Sequence, residues 1–111
     1  MTYPVITFCG SMRYFDEMVE VAHRLTAQGW IVLLPFVTKG YGKGSYATEQ
    51  DFDEMLDDMH KRKIDMSTSV LVYGEHIGES VTSEIEYTKS RAIAMFRQVK
   101  FTDQIWEWDS K

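Results

Sequence analysis

The chain has few of the residues that mark secreted, membrane-bound or nucleic-acid-binding proteins. Its single cysteine excludes an intramolecular disulfide and a cysteine-rich metal site. It has no basic run and a formal net charge of −5, so polymeric nucleic acid is a poor partner. No apolar run approaches the roughly 20 residues that span a bilayer, and no signal peptide is recognisable. These absences predict a cytoplasmic protein without a membrane or nucleic-acid partner.

The sequence also offers no pattern of metal ligands. Cys9 ends an apolar run, so it is predicted to be a core residue rather than a nucleophile. The acidic residues of segment 51–58 are interpreted as a solvated helix face rather than as a metal site. We therefore expect no metal and no cofactor.

The composition is that of a folded protein. The 111 residues are 44% hydrophobic and 14% aromatic, which argues against disorder. The length is enough for one hydrophobic core and too small for two. The sequence predicts a single domain that spans residues 1–111.

Apolar runs typical of buried strands alternate with segments of helical periodicity. Strands are predicted at residues 5–9, 30–34 and 69–73, with a possible fourth at 98–101. Helices are predicted from Phe15 to a stop at Gly29, from Phe52 to about Lys63, and from near Thr82 through Phe96. Residues 38–48, which contain three glycines, are interpreted as a mobile loop.

This alternation predicts an α/β fold. Because parallel crossovers are right-handed and cover the sheet, we expect a Rossmann-like or flavodoxin-like three-layer sandwich with a short parallel sheet of about four to five strands. Ligands of such folds bind at the carboxyl ends of the strands. The loops after the three predicted strands, residues 10–13, 35–48 and 73–84, are therefore expected to meet at the candidate site.

The loop after the first strand suits an anion. Gly10 and Ser11 form a strand-to-helix turn with free backbone N–H groups, and Arg13 adds a guanidinium. The same residue types also serve turns and helix caps without any ligand. Both interpretations remain open on local grounds.

The loop before the last helix carries more chemistry. Gly78 and Ser80 offer a flexible backbone and a hydroxyl near a helix start, and Glu84 is placed where its carboxylate can face the cleft. A capping box would explain Glu84 equally well if Ser80 or Val81 were the N-cap. The catalytic and the capping interpretation of Glu84 both remain open on local grounds.

Two segments together carry a family resemblance. Residues 8–13 read FCGSMR and residues 78–87 read GESVTSEIEY. Over roughly residues 5–101 the chain resembles the nucleoside 2-deoxyribosyltransferase-like superfamily, most closely the 2′-deoxynucleoside 5′-phosphate N-hydrolase group.

The resemblance implies roles for particular residues. Glu84 matches the glutamate that attacks the anomeric carbon of the sugar. Ser11, Arg13 and Ser80 match positions that bind the nucleotide phosphate. The acidic partner of the sugar or base falls on His60, with Asp58 and Asp65 as nearby acidic substitutes. The proton for the leaving base is expected from Asp65, His60 or water.

Two classes of function follow. The first is an enzyme of nucleotide metabolism, a hydrolase or transferase that cleaves the N-glycosidic bond of a nucleoside or nucleoside 5′-monophosphate through Glu84. The second is a non-catalytic nucleotide-binding module in which Glu84 caps a helix. Tyr14, Phe36 and Tyr46 could stack on the base, although core packing is the more common role of such side chains.

The C-terminal segment suggests packing or assembly. Trp106 and Trp108 make residues 102–111 too apolar for a free tail, which should dock on its own domain or on a neighbouring subunit. Members of the resembled family are dimers or larger. We therefore expect a homodimer or a higher homo-oligomer.

Overall fold

The computed structural model describes residues 1–36 and 42–109. Over these residues the chain forms five strands and three α-helices, with short 3-10 helices at Met12–Tyr14 and Lys43–Ser45. In chain order the elements are β1 Val5–Gly10, α1 Phe15–Ala27, β2 Ile31–Leu33, α2 Glu49–Asp65, β3 Ser69–Tyr73, α3 Glu79–Ser90, β4 Ala94–Gln98 and β5 Trp106–Glu107.

The strands form one sheet in the order β2-β1-β3-β4-β5. The first four are parallel, and β5 pairs antiparallel with β4. This is the flavodoxin-like order, in which the crossovers leave β1 in opposite directions. The predicted α/β class with a short, mostly parallel sheet is confirmed.

Side chains alternate between the two faces of the sheet, as the pleat requires. Phe8, Leu71 and Tyr73 pack with α1 in one buried cluster. Cys9 and Val72 point the other way and pack with residues of α2 and α3. The core therefore has two halves separated by the sheet, and the second half contains the cysteine, as predicted.

The end of α3 differs from the prediction. The helix was expected to continue through Phe96, but it ends at Ser90, and residues 94–98 form β4 beside β3. Ala92 adopts a left-handed backbone with φ of 54° and ends the helix where a glycine would be the usual signal. The fourth strand accordingly begins at Ala94 rather than at Gln98.

Helix α2 extends beyond its predicted bounds at both ends. Its N-cap is Thr48, whose Oγ1 accepts a hydrogen bond from the backbone N–H of Asp51 at 3.0 Å. Of the predicted mobile loop 38–48, residues 38–41 lie outside the described residues. Residues 42–48 contain a turn and the second 3-10 helix.

The C-terminal segment packs on its own sheet, which is one of the two placements expected. β5 covers the edge of β4, and the backbone N–H of Trp108 donates to the Met95 carbonyl at 2.9 Å. The Arg97 guanidinium lies 5.5 Å from the centre of the Trp108 ring. No helix within the described ranges is long and apolar enough to cross a membrane.

Candidate functional site

A cavity of about 980 Å³ opens at the carboxyl ends of β1 and β3. This is the point at which the order of the sheet reverses direction, and it is where open α/β sheets bind ligands. The walls come from the turn after β1, from residues 35–36 and 42–46, from α2 as far as Lys63, and from the start of α3. The volume is that of a site for a small organic molecule.

Gly10 lets β1 end close to its neighbour. A Cβ at this position would lie 2.9 Å from the Tyr73 carbonyl oxygen and 3.2 Å from Sδ of Met18. A side chain here would therefore force the backbone or the sulfur to move. Close packing therefore requires a glycine at position 10, in addition to the predicted role of Gly10 in the strand-to-helix turn.

Ser11 lies on the cavity, but the described cavity wall does not include Arg13. Ser11 Oγ accepts hydrogen bonds from the backbone N–H of Arg13 at 3.4 Å and from its Nε at 3.2 Å. The Arg13 side chain is exposed and bound back to its own turn. The structure thus brings Gly10 and Ser11 to the site and leaves the predicted guanidinium outside it.

The start of α3 faces the cavity through Gly78 and Ser80. Gly78 is the N-cap and has no side chain to occupy the first N–H groups. Since α3 begins at Glu79, Glu84 is its sixth residue and lies in the second turn. The capping-box interpretation of Glu84 is therefore wrong, because a capping box needs the acid at the third helical position.

Glu84 is a buried carboxylate at the cavity. Its side chain is 10% exposed, and Oε1 lies 3.5 Å from Nε2 of His60. The other oxygen, Oε2, is buried and has no hydrogen-bond partner among the described residues. Buried carboxylate oxygens are normally satisfied, so this oxygen marks a position where a further group can bind.

Burial dominates the protonation of this pair. It raises the pKa of Glu84 to about 7, and the Asp57 carboxylate acts in the same direction. Burial lowers the pKa of His60 to about 4, and the Lys63 ammonium adds to that effect. Near neutral pH the imidazole is therefore uncharged, and Glu84 is close to its midpoint.

Cys9 completes this group from the sheet side. Its Sγ lies 3.5 Å from Nε2 of His60, and the thiol is fully buried. Burial, followed by the charge of Glu84, raises the pKa of the thiol well above its ordinary value. The sequence predicted His60 and Glu84 as site residues, and the structure places Cys9 against both.

Asp65 is not part of the site, contrary to its expected role as the acid. It lies at the end of α2, about 7.5 Å further along the axis than His60 and about 140° around it. Its carboxylate accepts from Tyr87 Oη at 2.7 Å, and Arg62 and Arg91 lie at 2.7 and 3.1 Å. The hydrogen bond from Tyr87 is the main cause that lowers the pKa of Asp65. Asp58, the other acidic substitute, is exposed and pairs with Arg62 at 3.6 Å.

Two acids that the sequence analysis assigned to solvent line the cavity instead. Asp53 and Asp57 face it together with His60. The three positions follow a spacing of i, i+4 and i+7, which puts them on one face of α2. That spacing was a usable signal, but the surrounding acidic run hid it.

The cavity also has apolar lining residues. Phe36 and Tyr46 line it, as expected of residues that could stack on a base, and Tyr46 also contacts the Phe52 ring at 5.3 Å. Tyr14 packs against Tyr73 instead and is not among the lining residues described. Further apolar lining comes from Met55, Leu56 and Met59.

The chain matches no protein-family model, and a search of curated proteins finds no match.

Proposed function

We propose that the protein cleaves the N-glycosidic bond of a nucleoside or nucleoside 5′-monophosphate, with Glu84 as the nucleophile. The resemblance of residues 8–13 and 78–87 to the nucleoside 2-deoxyribosyltransferase-like superfamily suggested this chemistry. The cavity adds aromatic lining residues that suit a base and polar ones that suit a sugar.

The observation that carries the proposal is the state of Glu84. The carboxylate lies on the cavity, is 10% exposed and has one buried oxygen without a partner among the described residues. A carboxylate that lines a cavity can reach an electrophilic carbon of a molecule bound there. The carboxylate also lies beyond the first turn of α3, so helix capping does not explain it.

The reaction has two steps. A Glu84 oxygen bonds to the anomeric carbon as the bond to the base breaks, and the base leaves with the electron pair. Water then attacks the glycosyl ester and gives hydrolysis, or a second base attacks it and gives transfer. The transition state of each step resembles an oxocarbenium ion, and the negative charge of Glu84 stabilises it.

Asp57 is the residue best placed to assist. It lines the cavity on the same face of α2 as His60, and its Oδ2 pairs with Lys61 at 3.1 Å. We assign it the role of the upstream acidic partner, which the resemblance had placed at His60. His60 is uncharged near neutral pH and contacts Glu84, so we assign it to the positioning of the nucleophile.

The charges on the cavity bear on the substrate. Among the lining residues described, Asp53, Asp57, Glu79 and Glu84 are acidic, and Lys63 is basic. Nζ of Lys63 already donates to the Leu34 carbonyl at 2.7 Å. This balance favours an uncharged nucleoside over its monophosphate, because a phosphate would meet unfavourable charge.

The test is release of free base from a panel of deoxyribonucleosides, ribonucleosides and their 5′-monophosphates. We expect turnover with at least one nucleoside, and Glu84→Gln should lower it by about 100-fold or more. Glu86→Gln is the matched control, since Glu86 is exposed on the same helix. Base release by a folded Glu84→Gln variant at the parental rate would refute the assignment.

The nucleotide-binding module remains the alternative. Tight binding of a nucleoside without any base release would favour it over the enzyme. A homo-oligomeric state and a cytoplasmic location are likewise predictions.

A further inference from the structure

Three side chains of the kinds that transition metals bind converge behind the cavity. Cys9 comes from the carboxyl end of β1, His60 from the middle of α2 and Glu84 from α3. One ligand atom from each lies within 4.8 Å of the others. We infer that Cys9, His60 and Glu84 bind Zn²⁺ or a chemically similar divalent transition-metal ion.

Two of the three distances between the donor atoms match a tetrahedral site, and the third is below 4.8 Å. Zinc binds sulfur at about 2.3 Å and imidazole nitrogen or carboxylate oxygen at about 2.0–2.2 Å. Tetrahedral angles then separate sulfur from nitrogen by about 3.6 Å and nitrogen from oxygen by about 3.3 Å. Here Cys9 Sγ to His60 Nε2 is 3.5 Å, and His60 Nε2 to Glu84 Oε1 is 3.5 Å.

The unsatisfied oxygen of Glu84 is an independent sign of a missing ligand. The Glu84 side chain is nine-tenths buried, and Oε2 has no hydrogen-bond partner within the described part of the chain. Buried carboxylates are costly unless they are paired or coordinate a metal. A cation bound through Oε1, the oxygen 3.5 Å from His60 Nε2, would compensate the charge of this buried carboxylate.

The charges balance once the ion is bound. Zn²⁺ would be neutralised by one thiolate and one carboxylate, and the imidazole would add no charge. A neutral total suits a buried site, because a net charge there would be strongly disfavoured. His60 need not lose a proton, since its lowered pKa of about 4 keeps the ring neutral. The Cys9 thiol proton passes to solvent as the sulfur–metal bond forms.

The donor set also selects the ion and its position. A thiolate with imidazole favours zinc or related transition metals over Mg²⁺ and Ca²⁺, which prefer oxygen ligands. Cys9 is fully buried, whereas His60 and Glu84 line the cavity. Three protein ligands with the fourth position towards a cavity is the pattern of an accessible zinc site.

Metal binding has a consequence that rests on the proposed function. A Glu84 carboxylate bound to Zn²⁺ cannot attack an anomeric carbon, so the ion should inhibit base release. The binding site itself does not depend on that activity. The experiment therefore needs a readout of binding in addition to turnover.

The primary test is spectroscopic titration of the full chain with Co²⁺ after treatment with a chelator. We expect a thiolate-to-Co²⁺ charge-transfer band and the intense visible bands of tetrahedral Co²⁺, both removed by one equivalent of Zn²⁺. Zn²⁺ binding at pH 7 should release between about one and two protons, from the thiol and part of the Glu84 population. Absence of the charge-transfer band would overturn the proposal.

Substitutions locate the ion. Cys9→Ser and His60→Gln should each weaken Zn²⁺ binding by about 100-fold or more. Even the loss of a residue that only hydrogen-bonds to a metal ligand lowers metal affinity by about 10- to 100-fold. His23→Gln is the matched control, because His23 is exposed on α1 and should leave binding unchanged. Near-ultraviolet circular dichroism verifies the fold of each variant. Parental Zn²⁺ affinity in a folded Cys9→Ser variant would refute the site.

The two proposals fail separately. Co²⁺ bands without base release from any nucleoside would keep the metal site and remove the glycosidase. Base release that Zn²⁺ does not inhibit, together with absent Co²⁺ bands, would remove the metal site and keep the glycosidase.

Discussion

Helices α2 and α3 carry two clusters of ionisable residues that differ in almost every respect. At the cavity, His60 and Glu84 meet Cys9 in a buried group with an unpartnered carboxylate oxygen among the described residues. Further along the same helices, Asp65 and Tyr87 form a group in which both oxygens of the Asp65 carboxylate have a partner.

The two clusters differ in how deeply their carboxylates are buried and in how those carboxylates are paired. The Asp65 cluster is part-exposed and is satisfied by Arg62 and Arg91, so it resembles an ordinary surface network of modest value. The Glu84 cluster costs stability because a carboxylate is held out of water without a cation. Such a cost is tolerated at functional sites more often than elsewhere.

The largest expected effect is the pH dependence of turnover. Because Glu84 has a pKa of about 7 and must be ionised to act as a nucleophile, kcat/KM should fall about 50-fold between pH 7 and pH 5, with a slope that approaches tenfold per pH unit at the lower end. Base release across this range provides the measurement. A flat profile would mean that Glu84 does not titrate as the nucleophile.

The same profile has an internal control. Asp57 contributes to the raised pKa of Glu84, so Asp57→Asn should move the profile to lower pH. Asp53→Asn changes an acid one turn earlier on the same helix and should leave the midpoint in place. A shift with both variants would point to a general loss of negative charge.

The second effect is on stability. The folded protein holds a proton on Glu84 that the unfolded chain, with its ordinary pKa near 4.5, releases between about pH 4.5 and 7. Ionisation of Glu84 therefore lowers the free energy of unfolding as pH rises through this window. Glu84→Gln removes that penalty and should be more stable than the parent at pH 8 by about 3 kcal/mol.

Denaturant unfolding at pH 4.5 and pH 8 measures this difference. The stability advantage of the variant should shrink or vanish at pH 4.5, where Glu84 is protonated in the folded protein. His60 has the opposite sign, since its lowered pKa makes stability rise with pH between about 4 and 6.5. Comparing Glu84→Gln with its parent cancels that contribution. An advantage of equal size at both pH values would show that its origin is packing.

The smallest expected effect is at the Asp65 cluster. Asp65→Asn keeps the size of the side chain, and Asp65 is not among the residues described as lining the cavity. Base release should stay within about twofold of the parent, and the unfolding midpoint should change little. Loss of activity in a folded variant would restore Asp65 as a candidate acid and erase the contrast between the two clusters.

Much of the fold was predictable because its signals are local. The apolar runs of β1 and β3 and the periodicity of α1, followed by Gly29, indicated these elements close to their observed bounds. The end of α3 was not predictable in this way. Ala92 adopts the left-handed conformation that glycine usually adopts after a helix. Because no glycine marks this position, the helical spacing of apolar residues continues into β4 and the sequence does not indicate where α3 ends.

The residues of the candidate site likewise include some that the sequence predicted and some that it did not. Glu84, Gly10, Ser11 and the loop at Gly78 were accessible to sequence analysis because parallel sheets collect such loops at one edge. Asp57 was missed because the local sequence does not show which of the many acidic residues on α2 faces the cavity.

The sequence by itself determined the alternation of strands and helices, the edge of the sheet where the cavity opens and the presence of a carboxylate there. Only the tertiary structure decided that Cys9 and His60, separated by 51 residues, meet Glu84, and that Asp65 does not. The physical reason is that periodicity reports the surroundings of each segment separately. The distance between side chains on different segments depends on how the helices pack across the sheet.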